Sequence, residues 1–346
     1  MNTMTNCRVA GAWRLLAFVW LAILFAGLSA TPASARNVPG SAGVVQPQID
    51  KQVASALIDT TLLTALDAGT CLNTLWRQPV PGEAQNQPCE WGLAFGAGAR
   101  HIIGSPNGLD FDFTSVFGSA VLSRHISPST VLIAAILAEG GGGDLDYNNG
   151  ELKNIGVGGA LGALIRLNAI FDLSLLGGAE WLNYKTERSN GLFEGDYDAV
   201  RLFLDGQIKG RQDGEFGFIE YGGGLRLIYQ RNDGYTEKSG GVGTSQVGST
   251  DFTVLTALAD VKLGTPIGIF TPYIQATGYF DILDDVDLPG ILSPFETSDG
   301  KIRGRFGIGV NMFAFPGGTL NLTSGVHVDR DGFAGVDGAV RFILVF

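Results

Sequence analysis

Beyond its first 35 residues the chain has no run of about 20 apolar residues, the length that a membrane-crossing helix needs. Basic residues are few, 23 Lys and Arg against 34 Asp and Glu. Nucleic-acid binding rests on neutralising phosphates with Lys and Arg, so this balance argues against a nucleic-acid partner. Histidine is scarce, limited to His101, His125 and His327. A Ser/His/acid arrangement needs a Ser within hydrogen-bond reach of a His. His327 shares its strand face with Asn321 and Thr323, while Ser324 falls on the opposite face. No Gly-x-Ser-x-Gly occurs, and GSPNG at 104–108 reads as a turn. Gly141–Gly143 lacks the Lys and the following helix that a phosphate cradle requires. These absences predict neither an enzyme nor a cofactor.

Cysteine is also sparse. Cys7 lies in residues 1–35, which read as an export signal. Arg8 and Arg14 are the only charges there, Leu15–Leu28 is the apolar core, and Ala33-Ser34-Ala35 has the small-x-small form of a cleavage site. The rival reading is an uncleaved transmembrane helix, for which the apolar run is short. Residue 36 is Arg rather than Cys, which argues against a lipid-modified N-terminus. Removing the signal takes away two Arg and no acid, leaving 21 basic residues against 34 acidic ones. Cys71 and Cys89 remain. In an oxidising compartment they are expected to form a disulfide, worth about 3 kcal/mol by loop entropy. A metal site there is the weaker reading, because no His or further Cys lies near them in sequence.

What the chain does have is glycine, 51 residues of 346 and about twice the ordinary share, together with 45% hydrophobic residues. From Trp91 onward the pattern has period two. Ile155, Val157, Leu161, Ala163 and Ile165 share one face, against Asn154, Gly156, Gly158, Ala160 and Gly162 on the other. Ile302, Phe306, Ile308 and Val310 alternate with Arg303, Arg305, Gly307 and Gly309 in the same way. Such alternation marks strands between two unlike environments. Twelve strands are expected, near 91–103, 109–124, 129–140, 152–167, 171–185, 197–209, 215–230, 251–263, 268–282, 301–314, 318–329 and 333–346. Short and longer connections alternate between them. A soluble sandwich has no reason to sort its loops by length, nor to use strands of twelve or more residues. The fold expected is all-β, a transmembrane antiparallel 12-stranded β-barrel at 91–346. Its lumen-facing charges would include Arg100, Glu139, Arg166, Glu180, Arg201, Glu220, Arg226, Arg303, Arg305 and Arg341. The chain ends on AVRFILVF. Val340, Phe342, Leu344 and Phe346 would face lipid and Arg341 the lumen, with the last strand bonded to the first.

Residues 36–48, rich in Gly, Pro, Val and Ser, read as a flexible leader. Residues 49–90 read as an N-terminal helix and a Cys-closed loop. The helix is expected over Asp50–Thr70, with Asp50 favouring its start and Gly69 ending it. Twenty-one residues would span about 32 Å, close to the height of a bilayer core. Asp50, Lys51, Asp59 and Asp67 make it too polar to lie in lipid. A 12-stranded barrel has room for about one helix. The segment is therefore expected either in the lumen or at its periplasmic mouth. The acidic stretch 281–300 holds six Asp or Glu and no base before Lys301. It reads as a solvated loop, with divalent cations as the alternative occupants.

A helix, twelve strands over about 256 residues and an aromatic C-terminus resemble the β-domain of autotransporters. The local likenesses are TPYIQATGYF (271–280), GRFGIGV (304–310) and GAVRFILVF (338–346). The resemblance implies a Gram-negative outer-membrane location, with both barrel termini periplasmic and outer-membrane lipid and lipopolysaccharide around the wall. It also implies that Phe342, Leu344 and Phe346 are read by the barrel-assembly machinery. The activity implied is non-enzymatic translocation, with the helix threading the pore after a passenger has crossed. About a dozen residues separate the signal from the helix, so no sizeable passenger is expected here. The alternatives are a gated pore for small solutes and a structural or adhesive surface barrel. The only Asn-Asn, Asn148-Asn149, lies in a predicted outer loop, so self-cleavage of the helix is not expected.

Overall fold

The computed structural model describes residues 46–68, 91–104, 110–239, 243–287, 302–315, 318–329 and 334–345. The expected export signal at 1–35, Cys71, Cys89 and Phe346 lie outside the described residues. Among the described residues one α-helix, α1 (Gln46–Ala68), precedes fourteen strands, with a 3-10 turn at Asp146–Asn148. These are β1 (Trp91–Gly104), β2 (Phe111–Ser127), β3 (Thr130–Leu145), β4 (Gly150–Arg166), β5 (Phe171–Arg188), β6 (Phe193–Gly214) and β7 (Gly217–Asn232), then β8 (Tyr235–Ser239), β9 (Gly243–Val247), β10 (Thr250–Gly264), β11 (Phe270–Asp287), β12 (Ile302–Phe315), β13 (Gly318–Asp329) and β14 (Ala334–Val345).

Twelve of these strands form the barrel. Each pairs antiparallel with its sequence neighbour, β7 passes directly to β10, and β14 returns to β1. The closing register runs from Gly92 opposite Val345 to Ile103 opposite Ala334. Closure is what hydrocarbon demands, since an unpaired backbone group there costs several kcal/mol. Trp91 and Val345 share one rim with the tight connections at 128–129, 167–170 and 215–216. Strands β8 and β9 form a hairpin at the other rim. They belong to the long connection 233–249 between β7 and β10, where β6 extends beyond its pairing with β7 and its free edge takes β8 at Phe193 and Glu194.

The two wall faces differ as the alternation requires. Ile136 is 71% exposed, Ile308 65% and Ile155 62%, all on the outer face, while their strand neighbours turn inward. Several strands are longer at the outer rim than the sequence pattern indicates. Gly140–Gly143 belongs to β3 rather than to a loop, because the run pairs on both sides with β2 and β4. Phe113 covers the bare backbone at Gly141, where an added Cβ would lie 2.7 Å from its ring. The acidic stretch that begins at Asp281 is likewise strand as far as Asp287. Between Leu255 and Thr256 the register slips by one, leaving Ile282 as an extra residue. That bulge resets the parity of β11, so Asp281 and Asp284 both reach inward.

The inner face is not uniformly small and polar. Phe111, Phe113, Phe117 and Val121 of β2 and Val131, Ile133 and Leu137 of β3 point inward and are buried. Apolar residues on both faces blur the alternation in these two strands, and the inner set forms a core around α1. Ile136 lies at the middle of β3 on the lipid face. Ile136→Arg is expected to cost about 2–4 kcal/mol, measured by reversible unfolding in lipid vesicles, with a much smaller effect for Arg at outer-rim positions.

Candidate functional site

Helix α1 runs through the lumen, and most of its side chains are buried, the polar ones included. It starts at Gln46, four residues before Asp50, so Asp50 lies inside the helix and its carboxylate serves the wall. A helix with polar residues on several sides cannot sit in lipid, but it suits a lumen whose wall differs from side to side. Ile49 and Val53 pack with Ile102, Phe111 and Leu182. Leu57, Ile58, Leu62 and Ala65 join the core that includes Phe117, Val121, Ile133 and Ile343. Toward the rim of Trp91 the helix approaches β1 closely at Gly96. A Cβ there would collide with Thr64 Oγ1 and lie 3.2 Å from Thr60 Cγ2, so the bare wall lets the threonines of the helix come this close.

Polar contacts fix the direction of the helix. Near the outer rim, Tyr197 donates its hydroxyl to Gln46 Oε1 (2.5 Å). Asp50 accepts from Tyr184 (2.7 Å) and from Gln230 (2.7 Å). Tyr184, Tyr197 and Tyr235 stack in series, with ring centroids 5.1 and 4.6 Å apart. Lys51 pairs with Asp284. Lower in the lumen, Asp59 accepts from Arg226 (2.6 Å) and Tyr279 (2.9 Å). Thr64 near Gly96 marks the opposite end. The N-terminus of α1 therefore faces the rim of the β8–β9 hairpin, and its C-terminus faces the rim where β1 begins.

The predicted lumen charges divide into two groups. Arg100 donates to the Gln52 carbonyl and to His327, and Arg226 donates to Asp59, to Asp205 (2.7 Å) and to the Ser55 carbonyl (3.3 Å). Glu180 and Glu139 reach α1 through Arg201, which they share at 3.0 and 2.7 Å. The others pair within the wall. Arg303 bonds Asp281 (2.8 Å), and Arg305 grips Asp337 with two bonds of 2.9 and 2.7 Å. Glu220 takes Arg211 and Lys262, each at 2.8 Å, and Arg166 lies 3.6 Å from Asp172. Arg341 is buried on the inner face beside the remaining gap. His327 faces Asp337 and Arg100, whereas Ser324 is exposed on the other face with its Oγ on the Asp337 carbonyl (3.1 Å). Phe342 and Leu344 are half-buried in β14. The alternation did not single out Tyr184, Tyr197 or Asp205. Their parity with Glu180 and Arg201 was the available signal.

A cavity of about 60 Å³ remains between Asp59, Thr60 and Leu63 and the wall at Lys209, Gln275 and Arg341. One water needs roughly 10–15 Å³ of such space, so the gap suits a few waters. Ligand pockets of about 300–1,000 Å³ are far larger. The arrangement can hold a helix and exclude a solute. Arg226 joins Asp59 of the helix to the fully buried Asp205 of the wall. Arg226→Ala leaves that wall carboxylate without its cation and is expected to cost about 3–5 kcal/mol, read as an earlier heat-induced mobility shift of the folded barrel.

The Autotransporter beta-domain family matches residues 91–323. No curated protein matches the chain by sequence. Among solved structures, the translocator domain of the autotransporter NalP from Neisseria meningitidis is similar. It has a TM-score of 0.70 and 14% identity, over 89% of this chain and 100% of that one. The beta domain of the Bordetella autotransporter BrkA gives 0.55 at 14% identity, over 74% and 100%. The transport unit of AIDA-I from Escherichia coli gives 0.50 at 13% identity, over 82% and 97%. At these identities the likenesses speak for the fold, and the family match covers most of the barrel. The chain belongs to the autotransporter β-domain family, as a translocator-type barrel of the Gram-negative outer membrane.

Proposed function

We propose that this barrel is a translocator in its closed state, with α1 as the plug and its N-terminal end directed at the outer mouth. The observation that carries the reading is the course of α1. It is buried along the lumen, with Gln46 held by Tyr197 at the outer rim and Thr64 against Gly96 near the periplasmic one. A segment that ends this way has its N-terminal side outside the cell and its C-terminal side facing the start of β1. Whatever precedes α1 would be the part delivered to the surface.

The same reading gives the wall charges a structural task, holding the helix, and assigns them no catalytic one. It takes Phe342, Leu344 and Phe346 as the signal for the barrel-assembly machinery, and lipid and lipopolysaccharide as the surroundings of the outer face. Asp281 and Asp284 are engaged by Arg303 and Lys51. Within 281–300 any divalent-cation role therefore falls to Asp285, which is exposed, to Asp287, and to Glu296 and Asp299, which lie outside the described residues. Cys71–Cys89 pairing would tether the chain between plug and wall.

Single-channel recording in planar bilayers tests the plug. The chain 36–346 is expected to give small, intermittent currents, and the same chain lacking residues 36–76 large, steady ones. Equal currents from the two would remove the plug. Steady conduction by both with a preference among solutes would make the protein a pore.

A further inference from the structure

The seat of α1 around Arg201 holds more carboxylates than cations. Glu139 on β3 and Glu180 on β5 both accept from the same Arg201 nitrogen, Nη1, at 2.7 and 3.0 Å. Nη2 of Arg201 faces Asp50 of α1 at 3.9 Å, and Nε donates to Gln230 (2.9 Å). The side chains of Arg201 and Glu139 are fully buried, and those of Glu180 and Asp50 are 1% and 2% exposed. Three carboxylates thus meet one guanidinium, a formal charge of −2 where solvent does not reach. The remaining neighbours do not offset it. From β4, Asn154 donates to Glu139 Oε1 (2.9 Å). From β5, the Tyr184 hydroxyl serves Asp50. On β7, Gln230 is neutral, and the next cation, Arg226, is taken by Asp59 and Asp205.

Two further features show that the wall is shaped for this pair. Glu139 and Glu180 flank β4, opposite Gly156 and Gly158 in register. A Cβ at Gly158 would lie 2.5 Å from Glu180 Cγ, and one at Gly156 would lie 3.0 Å from Glu139 Cγ. The two carboxyl groups lean over a strand that is bare where they need room. In addition, Glu180 Oε1 is buried and has no hydrogen-bond partner. Two carboxylates on one donor, with an orphaned oxygen, form a site for a cation. Among the described residues no cluster of His, Cys, Asp or Glu is arranged to hold a metal ion. The cation that needs no such coordination is a proton, and paired carboxyls bind one jointly.

We propose that Glu139 and Glu180 share a proton, and that this proton sets how firmly α1 is held. With the proton bound, Arg201 can attend to Asp50. When it leaves, a second negative charge is uncovered beside Asp50 and repels the helix. The closed state is therefore favoured at lower pH and weakens as pH rises and the proton is lost. This rests on the plug reading, because it makes the plug the responding element.

The test records currents from the chain 36–346 between about pH 5.5 and 8.5. Open events are expected to grow with pH, by up to about tenfold per unit for a one-proton step. Glu180→Gln keeps the shape of the side chain and removes the proton site, so its currents should stay low and flat across the range. Heat-modifiable mobility verifies that the variant is folded. Unchanged pH dependence in Glu180→Gln would overturn the proposal. So would a flat profile in the parent while the helix-deleted barrel conducts. A second readout does not depend on current. At neutral pH the infrared C=O stretch of a protonated carboxyl is expected in the parent and should be lost in Glu180→Gln, and its absence from the parent would also overturn the proposal. If helix deletion leaves the current unchanged, the plug reading fails by itself, and the infrared band still decides the proton site.

Discussion

An N–H or C=O group left unpaired in hydrocarbon costs several kcal/mol, and the pairing of β14 with β1 removes both edges of the sheet at once. Other features follow from that closure. A closed wall has an inside and an outside, so each strand must present two different sets of side chains. The outside takes Ile136, Ile155 and Ile308, which are largely exposed. The inside of a 12-stranded ring is about as wide as a helix, and in this structure a helix of the same chain occupies it.

Filling that space puts charges out of reach of water. Asp50, Asp59, Lys51, Arg100, Arg201 and Arg226 each meet a partner across the gap between helix and wall. Such pairs contribute little net stability, because desolvation offsets the attraction, but removing one partner is costly. Their value is positional. A helix held only by Leu57, Ile58 and Leu62 could slide or turn against an apolar wall, whereas Asp50 under Tyr184 and Asp59 under Arg226 set both its depth and its rotation. Gly96 adds a steric stop on the β1 side.

Much of this was legible in the sequence. Twelve strands, their antiparallel order, the closing seam and the lipid face follow from period-two alternation, and Asp50–Thr70 announces a helix too polar for lipid. Four things were hidden. Strand ends were blurred where Gly140–Gly143 looks like a loop but pairs as strand. The inner faces of β2 and β3 could not be told from their outer faces, since Phe113 and Val121 are as apolar as residues that meet lipid. The partners of each lumen charge depend on register across several strands, so Arg201 reaching Glu139 over bare β4 cannot be read along the chain. The course of the helix through the lumen, rather than at its mouth, likewise came only from the contacts of Gln46, Asp59 and Thr64.

The central claim is that α1 occupies the lumen with Thr64 against Gly96 of β1. Cysteines placed by Thr64→Cys and Gly96→Cys, in a chain whose native cysteines are replaced by Ser, test it most directly. After mild oxidation of outer membranes, the chain is cut within residues 69–90 and run without reductant. The account predicts that the helix stays attached to the barrel and is released by reductant. Release without reductant, with the thiol at position 64 freely labelled, would contradict it.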